Sequence, residues 1–174
     1  METKPSLIIV AGSNGSGKST LTRRTFQRSN LPVIDPDAIA RQINPYSPES
    51  VSIAAGRQAI NLTRNYLDNG QSFIAETTLS GNYYLRIMDK AKEKGFEISL
   101  IYIGINNIDT SINRVELRVQ RSGHNVPPLD IRRRYERSQQ IIKLQQFHLI
   151  FERNILSFFN LITEFYKKSR GQST

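Results

Sequence analysis

Short apolar runs alternate with longer amphipathic stretches along the chain, which is typical of strands that alternate with helices. Residues 7–11 (LIIVA) form a β-branched run with the length of a strand that is buried on both faces. Runs at residues 32–35, 72–75 and 98–105 predict three further strands. Helices are predicted at residues 18–27, 50–67, 82–94, 110–120 and from residue 131 onward. This order favours right-handed β-α-β units and a parallel sheet with helices on both faces.

For three segments the sequence allows more detailed predictions. In the second predicted helix, Ile53, Ile60 and Leu67 recur at spacings of seven and predict one buried stripe. Asp130 is expected to be the N-cap of the last helix. Residues 156–165 fit either a fifth strand or a continued helix, because their apolar positions match neither period cleanly. The predicted fold is therefore α/β, with a mostly parallel five-stranded sheet flanked by helices.

Composition limits the class of protein. The 174 residues are enough for one domain over residues 1–174, and 38% of them are hydrophobic, so a core can form. No apolar run approaches the roughly 18 residues of a membrane span, and the first residues lack the apolar segment of a signal peptide, which predicts a cytoplasmic protein. Cysteine is absent and histidine occurs twice, so disulfides and thiolate metal sites are excluded. Any metal is expected to be Mg²⁺ held by oxygen atoms.

The positive charge is concentrated in one region. The net charge is +9, and residues 118–143 hold seven basic side chains against two acidic ones. This concentration indicates a polyanionic partner, such as nucleotide phosphates, a sugar nucleotide or RNA. A solvated helix face is the alternative explanation.

Residues 12–19 (GSNGSGKS) match the phosphate-binding pattern G-x-x-x-x-G-K-[ST] between a predicted strand and a predicted helix. The backbone N–H groups of such a loop bind phosphate oxygens, and the helix N-terminus adds its positive dipole end. Lys18 is expected to reach the β- and γ-phosphates, and the Ser19 hydroxyl to bind Mg²⁺. The predicted ATP- or GTP-binding residues are Gly12, Ser13, Asn14, Gly15, Ser16, Gly17, Lys18, Ser19 and, in a more structural role, Thr20. The chain has no N-K-x-D element and no D-x-x-G after a strand, which argues against a switch GTPase.

Three carboxylates follow predicted strands, where ligands of open parallel sheets bind. Asp37 could take a proton from an attacking hydroxyl, with Asp35 in support, or could cap the next helix. Glu76 could position Mg²⁺ through water, hold the acceptor, or form a salt bridge with a helix. Thr77 and Thr78 offer hydroxyls to the acceptor or simply extend the strand.

Arg114, Arg118 and Arg121 lie at i, i+4 and i+7 and share one predicted helix face. Such arginines can neutralise charge that develops during phosphoryl transfer. A breaker-rich loop follows, in which His124 contacts a phosphate or caps the loop, and residues 132–134 are three further arginines. We expect an Arg-rich helical lid on a P-loop kinase fold. For residues 132–134 a solvated face is an equal alternative, because three adjacent side chains cannot all face one site.

From about residue 7 to residue 138 the chain resembles the zeta-toxin family of P-loop kinases. The resemblance rests on residues 11–20 (AGSNGSGKST), 35–40 (DPDAIA), 55–57 (AGR), 73–81 (FIAETTLSG), 113–115 (NRV), 123–127 (GHNVP) and 133–135 (RRY). The first of these is generic to P-loop proteins, whereas ETTLSG and GHNVP are much more specific. The resemblance implies that ATP or GTP phosphorylates a sugar nucleotide, typically UDP-N-acetylglucosamine on its amino-sugar 3′-hydroxyl.

The resemblance also implies roles for single residues. Asp37 matches the catalytic base, and Lys18 matches the phosphate-binding lysine. Glu76 and Thr78 match the acceptor-binding element. Arg114 matches the first charge-neutralising arginine, and Arg118 and Arg121 are the candidates for the second.

Beyond residue 138 the chain departs from the family. Small members usually end in a strand that carries Tyr-Asp-Asn-Ser, and residues 154–166 contain no such run. Family members are restrained by an antitoxin, so the resemblance implies a separately encoded protein partner, while neither a membrane nor a nucleic acid is expected.

Alternative functions start from the same residues. One is a nucleic-acid-binding P-loop protein that uses the positive charge. Another is a nucleoside or nucleotide kinase with a different acceptor. A binding module without chemistry is disfavoured, because Lys18, Ser19, Asp37 and Arg114 are all present. Acceptor identity depends on pocket shape, which residue spacing does not reveal.

Overall fold

The centre of the sheet is a strand with apolar side chains on both faces. In a computed structural model, which describes residues 4–27, 29–120, 125–145 and 150–151, this strand is β1. The elements are β1 (Ser6–Gly12), α1 (Lys18–Phe26), β2 (Val33–Ile34), α2 (Pro36–Ile43), a 3₁₀ helix (Pro48–Val51), α3 (Ser52–Asp68), β3 (Phe73–Thr77), α4 (Tyr83–Glu93), β4 (Glu97–Gly104), α5 (Ile108–Val119), α6 (Pro128–Gln145) and β5 (Ile150–Phe151).

All pairs of neighbouring strands are parallel, in the order β2-β3-β1-β4-β5. β1 to β4 are the four strands predicted before residue 145, and the fifth strand of the sheet, β5, has only two residues. The two residues of β5 pair beside Ile103 and Gly104 of β4. The candidate strand or helix at residues 156–165 lies outside the described residues. Because the strands are parallel, the C-terminal ends of β1, β2 and β3 meet at one edge of the sheet.

Apolar side chains cover both faces of the sheet. On one face Leu7, Ile9 and Phe73 pack in a cluster with residues of α3 and α4, and Ile142 of α6 joins it. On the other face Ile8 and Val10 pack with Phe26 of α1 and other residues. A third cluster joins α5 to α6 through Ile112, Val115, Val126 and Ile131. The second and third clusters attach the elements that flank the phosphate loop.

The predicted buried stripe of the long helix is wrong at its N-terminal end. Ile53 is 74% exposed, although Leu67 is buried as expected. The buried residues of α3 are instead Ala55, Ala59, Thr63 and Leu67. A row at spacings of four drifts by about 40° per step, so the buried face turns along the helix. α3 packs against α2, and the small side chains of the buried Ala55 and Ala59 allow close packing of this helix.

The last described helix begins earlier than predicted. α6 starts at Pro128, so Asp130 lies inside its first turn and is not the N-cap. Proline is favoured at the first helical position, where its missing N–H would lack a helical partner anyway. Asp130 instead complements the positive end of the helix dipole. Within the described ranges no helix is long and apolar enough to cross a membrane.

Candidate active site

The predicted phosphate loop connects β1 to α1 in a conformation that requires glycine. Gly15 has a φ of +77°, and a Cβ there would lie 2.7 Å from the Ser111 carbonyl oxygen. A Cβ on Gly12, at φ +148°, would lie 2.5 Å from the Ile103 carbonyl oxygen. The hydroxyls of Ser13 and Ser111 share a hydrogen bond of 2.9 Å. The loop is thus held closely against β4 and α5.

Lys18 lies across this loop. Its Nζ donates to the carbonyl oxygens of Gly12 at 2.8 Å and Ser13 at 2.9 Å. Burial lowers the pKa of Lys18, while the charges of Glu76 and Asp37 act to raise it. The ammonium group therefore sits in a desolvated position where a phosphate oxygen would be a strong partner.

Ser19 and Glu76 meet where β3 ends beside β1. The Ser19 hydroxyl donates to the Glu76 Oε2 at 2.7 Å, and Glu76 is 3% exposed. Burial raises the pKa of Glu76, and the charge of Asp35 adds to this effect. The parallel register that pairs Val10 with Glu76 brings this carboxylate to the start of α1. A hydroxyl and a carboxylate are the hard oxygen donors that suit Mg²⁺.

Asp35 and Asp37 follow β2. Asp35 is the N-cap of α2, because its Oδ1 accepts a hydrogen bond from the Asp37 backbone N–H at 2.9 Å. Arg41 pairs with Asp35 at 3.7 Å. The interpretation of Asp37 as the cap is therefore wrong. Asp37 is the second residue of α2 and lines the cavity described next.

One cavity of about 620 Å³ joins these parts. Its walls include the loop from Asn14 to Thr20 and the three carboxylates Asp35, Asp37 and Glu76. The other predicted residues that line it are Thr77, Thr78, Arg114 and Arg118. Gly12 and Ser13 belong to the loop but do not line the cavity. Arg121 and His124 lie outside the described residues.

Arginines from α5 and α6 flank the loop. An Arg114 Nη1 donates to the Gly15 carbonyl oxygen at 3.4 Å. The charge of Arg118 acts on Lys18 and contributes to lowering its pKa, although burial is the larger cause. An Arg134 Nη1 donates to Asn14 Oδ1 at 3.4 Å, and Arg134 also lines the cavity.

The three adjacent arginines of α6 do not act together. Arg132 pairs with Asp109 and Arg133 with Asp130, each at 2.7 Å, so the cavity receives only Arg134 of these three. Sequence reasoning did not single out Arg134. One signal was available in the sequence. Arg134 lies three residues after the apolar Ile131, and residues three apart share a helix face, which distinguishes Arg134 from its two neighbours.

A strained turn follows the acceptor-side threonines. Leu79 is buried at φ +50°, a conformation that is uncommon for a residue other than glycine. Its backbone N–H donates to the Thr77 Oγ1 at 3.0 Å, and the hydroxyls of Thr78 and Ser80 lie 2.9 Å apart. Both threonines line the cavity, Thr77 as the last residue of β3 and Thr78 as the residue that follows it. Two tyrosines that sequence reasoning missed, Tyr84 and Tyr102, line it as well.

Comparison with known proteins identifies a matching family and a sequence relative. The family described as zeta toxin matches residues 1–167 of this chain. A protein of Haemophilus influenzae described as uncharacterized is 43% identical over 129 residues, which cover 74% of this chain and 91% of that protein.

Solved structures share the fold at low sequence identity. The Streptococcus pneumoniae PezAT toxin-antitoxin system includes a chain with a TM-score of 0.61 and 20% identity, with 87% of this chain and 70% of that chain covered. A gluconokinase from Sinorhizobium meliloti gives a TM-score of 0.59 and 14% identity, with 99% and 100% covered. The α/β P-loop kinase fold expected from the sequence is thereby confirmed.

Proposed function

Since this chain belongs to the zeta toxin family, we propose that it is a kinase that transfers the γ-phosphoryl group of ATP to a hydroxyl of a small acceptor. One observation carries the proposal. A phosphate loop with its lysine and arginines shares a cavity with a carboxylate that follows a strand, Asp37. Phosphoryl transfer needs these two parts, a cationic cradle for the phosphates and a group that accepts the proton of the attacking hydroxyl.

The donor is ATP, with GTP as the alternative, bound by the loop from Gly12 to Thr20. When the nucleotide binds, the Lys18 Nζ donates to the β- and γ-phosphates instead of to the carbonyl oxygens of Gly12 and Ser13. The cavity is also lined by Arg114, Arg118 and Arg134, which neutralise negative charge on the transferred phosphoryl group. Arg121 belongs to the arginine stripe predicted from the sequence.

Ser19 and Glu76 are the residues that would hold Mg²⁺, Ser19 directly and Glu76 through water. Their oxygens are 2.7 Å apart and both belong to the hard donors that this ion prefers. No group of three acidic or histidine side chains that could hold a metal occurs among the described residues. This fits a kinase site, where the nucleotide phosphates and waters supply most Mg²⁺ ligands. When bound, the ion would neutralise charge on the β- and γ-phosphates.

The acceptor is a sugar nucleotide, UDP-N-acetylglucosamine or a similar UDP-sugar. Membership in the zeta toxin family supports this choice, and the cavity of about 620 Å³ lies within the usual range for small-molecule sites. Asp37 is the general base, and Thr77 and Thr78 hold the acceptor. Glu76 matches the acceptor-binding element too, but its bond to Ser19 favours the donor side.

A screen of ATP consumption against UDP-sugars, nucleosides and nucleotides tests this proposal. We expect turnover to rise above the acceptor-free rate with UDP-N-acetylglucosamine or another UDP-sugar. The same panel with Lys18→Ala protein is the control for contaminating kinases. Turnover with a nucleoside instead would establish the alternative acceptor class. Salt-sensitive RNA binding without turnover would contradict a kinase function.

A separately encoded antitoxin is the proposed protein partner. Family membership supports it, and the PezAT neighbour comes from a toxin-antitoxin system. If the kinase restrains growth, expression of the wild-type chain should slow growth and expression of the Lys18→Ala chain should not. Equal growth would contradict a toxic role and would leave the kinase assay unaffected.

A further inference from the structure

A buried tyrosine hydroxyl joins the sheet to the helix that carries Arg134. Tyr102 lies near the C-terminal end of β4 and is 3% exposed. Its hydroxyl and the Ser138 Oγ are 2.5 Å apart, and Gln139 Nε2 donates to the same hydroxyl at 3.1 Å. Ser138 is fully buried. A strand of the sheet thus holds two successive residues of α6 through one oxygen atom.

These contacts are close to Arg134 along the helix. Arg134 and Ser138 are four residues apart and therefore share one face of α6. Tyr135, next to Arg134, donates its hydroxyl to the Ile105 carbonyl oxygen at 3.1 Å, just after β4. The Arg134 guanidinium reaches Asn14 of the phosphate loop only at 3.4 Å. That long bond cannot fix the arginine by itself, so the orientation of α6 must do so.

Apolar contacts and one ion pair, Arg132 with Asp109, attach α6 to its neighbours on either side of Arg134. Ile131 and Val115 attach α6 to α5, and Ile142 packs into the cluster under the sheet. Apolar contacts are not directional, whereas hydrogen bonds depend on angle and distance. Between Ile131 and Ile142 the bonds of Tyr102 and Tyr135 add directional contacts to β4 and the segment after it.

We propose that Tyr102 is a positioning residue, whose hydroxyl orients α6 so that Arg134 faces the donor phosphates. The proposal rests on the proposed kinase function, in which Arg134 opposes phosphate charge. Removal of the hydroxyl leaves the buried Ser138 hydroxyl and the Gln139 amide without this partner, which favours a shift of α6. A displacement of about 1 Å at a reacting group can cost as much as 10²-fold in rate.

Four variants test the role: Tyr102→Phe, Arg134→Ala, the double variant, and Tyr83→Phe as a matched control. Tyr83 also has a partly buried hydroxyl, and this hydroxyl donates to the carbonyl oxygen of Ile60 in α3 rather than to a residue of α6. We expect Tyr102→Phe to lower kcat by about tenfold with little change in either KM, and Arg134→Ala to lower it by about 10²-fold or more. The double variant should match Arg134→Ala, because the hydroxyl acts through the arginine.

Independent effects of Tyr102→Phe and Arg134→Ala in the double variant would overturn the proposal. So would a higher acceptor KM with unchanged kcat, which would make the hydroxyl a direct substrate contact. Tyr83→Phe should keep wild-type turnover, and a loss equal to that of Tyr102→Phe would also count against the role. If Tyr102→Phe does not fold, Ser138→Ala takes its place and should give the same loss.

A binding measurement separates this proposal from the kinase function. Arg134→Ala should reduce the preference for ATP over ADP by about tenfold, because one charged contact to the terminal phosphate is lost. Tyr102→Phe should also reduce the preference for ATP over ADP, by a smaller factor. An unchanged preference in this variant would overturn the positioning role. If the wild-type protein binds ATP but phosphorylates nothing, the proposed function fails while this comparison still decides the role of Tyr102.

Discussion

The two walls of the cavity carry opposite charges and are built in different ways. The cationic wall includes Lys18, Arg114, Arg118 and Arg134, with Arg23 and Arg24 of α1 also lining the cavity, and the anionic wall consists of Asp35, Asp37 and Glu76. Lys18 belongs to one continuous motif, and α5 and α6 bring arginines to the loop. The anionic wall exists only because the sheet places the ends of β2 and β3 side by side.

This difference indicates a division of labour. The cationic wall suits the phosphates of a donor, and the anionic wall suits a hydroxyl that must lose a proton. Ser19 and Glu76 connect the two walls through their 2.7 Å hydrogen bond. Variants of one wall should therefore change donor binding or transition-state charge, and variants of the other should change acceptor chemistry.

Removal of the central cation should have the largest effect. Lys18→Ala is expected to lower turnover by more than about 10³-fold, because the β- and γ-phosphates lose their charge-assisted donor. Turnover is measured together with the free energy of unfolding. Since burial lowers the pKa of Lys18, we expect no large loss of stability. Near-normal turnover in a folded Lys18→Ala protein would remove the lysine from the mechanism.

Asp37→Asn probes the anionic wall. Loss of a general base typically costs about 10²–10⁴-fold in rate, while asparagine preserves the size of the side chain. ATP affinity should stay close to that of the wild type. Asp109→Asn is a matched control, since Asp109 is also an acid in the first turn of a helix but pairs with Arg132. If Asp37→Asn keeps more than about a tenth of the transfer rate, the base lies elsewhere, with Asp35 and Glu76 next to test.

Arg114→Ala sharpens the description of the cationic wall. If Arg114 acts mainly on transition-state charge, kcat should fall more than the KM for ATP rises. We expect a loss of about 10²-fold or more in kcat. Arg133→Ala is the control, because Arg133 is paired with Asp130 and should change neither constant. A rise in KM with unchanged kcat would show ground-state binding only.

A smaller effect concerns stability at high pH. Burial raises the pKa of Tyr84 to about 12, and Tyr84 lines the cavity. The folded state thus keeps a proton that the unfolded state loses near pH 10, so stability should fall as pH rises from about 10 towards 12. In Tyr84→Phe this part of the decline should disappear, at most about 2–3 kcal/mol. Denaturant unfolding of both proteins measures it, and equal slopes would contradict a buried, neutral Tyr84.

Local patterns in the sequence predicted the features that depend on local contacts. The phosphate loop, its flanking strand and helix, and the position of Lys18 follow from residues that are contiguous. The predicted burial of Ile53 is wrong because the buried residues of α3 recur at spacings of four, from Ala55 to Leu67, and not at spacings of seven. The cap of α2 was placed two residues too late, although Asp35 before Pro36 is a favourable cap position.

Features that depend on tertiary contacts could not be predicted from the sequence. Nothing in the spacing says that Ser138 meets Tyr102 or that Arg134 meets Asn14, 36 and 120 residues away along the chain. Arg132 and Arg133 carry the same side chain as Arg134. Their ion pairs separate them. Arg132 pairs with Asp109 of α5, which depends on how α6 lies against α5, whereas Arg133 pairs with Asp130 within α6.

Analysis of the reaction products tests most directly whether the two walls act together in phosphoryl transfer. Wild-type protein and Asp37→Asn are each incubated with ATP and UDP-N-acetylglucosamine, and the sugar nucleotide is analysed by mass spectrometry. We predict that the wild-type protein adds one phosphoryl group to the sugar, and that Asp37→Asn binds ATP equally well but forms at least about 10²-fold less product. Two results would contradict the account that a cationic donor wall acts together with an anionic acceptor wall. One is that no acceptor in the panel of UDP-sugars, nucleosides and nucleotides is phosphorylated, and the other is that both proteins form equal amounts of product.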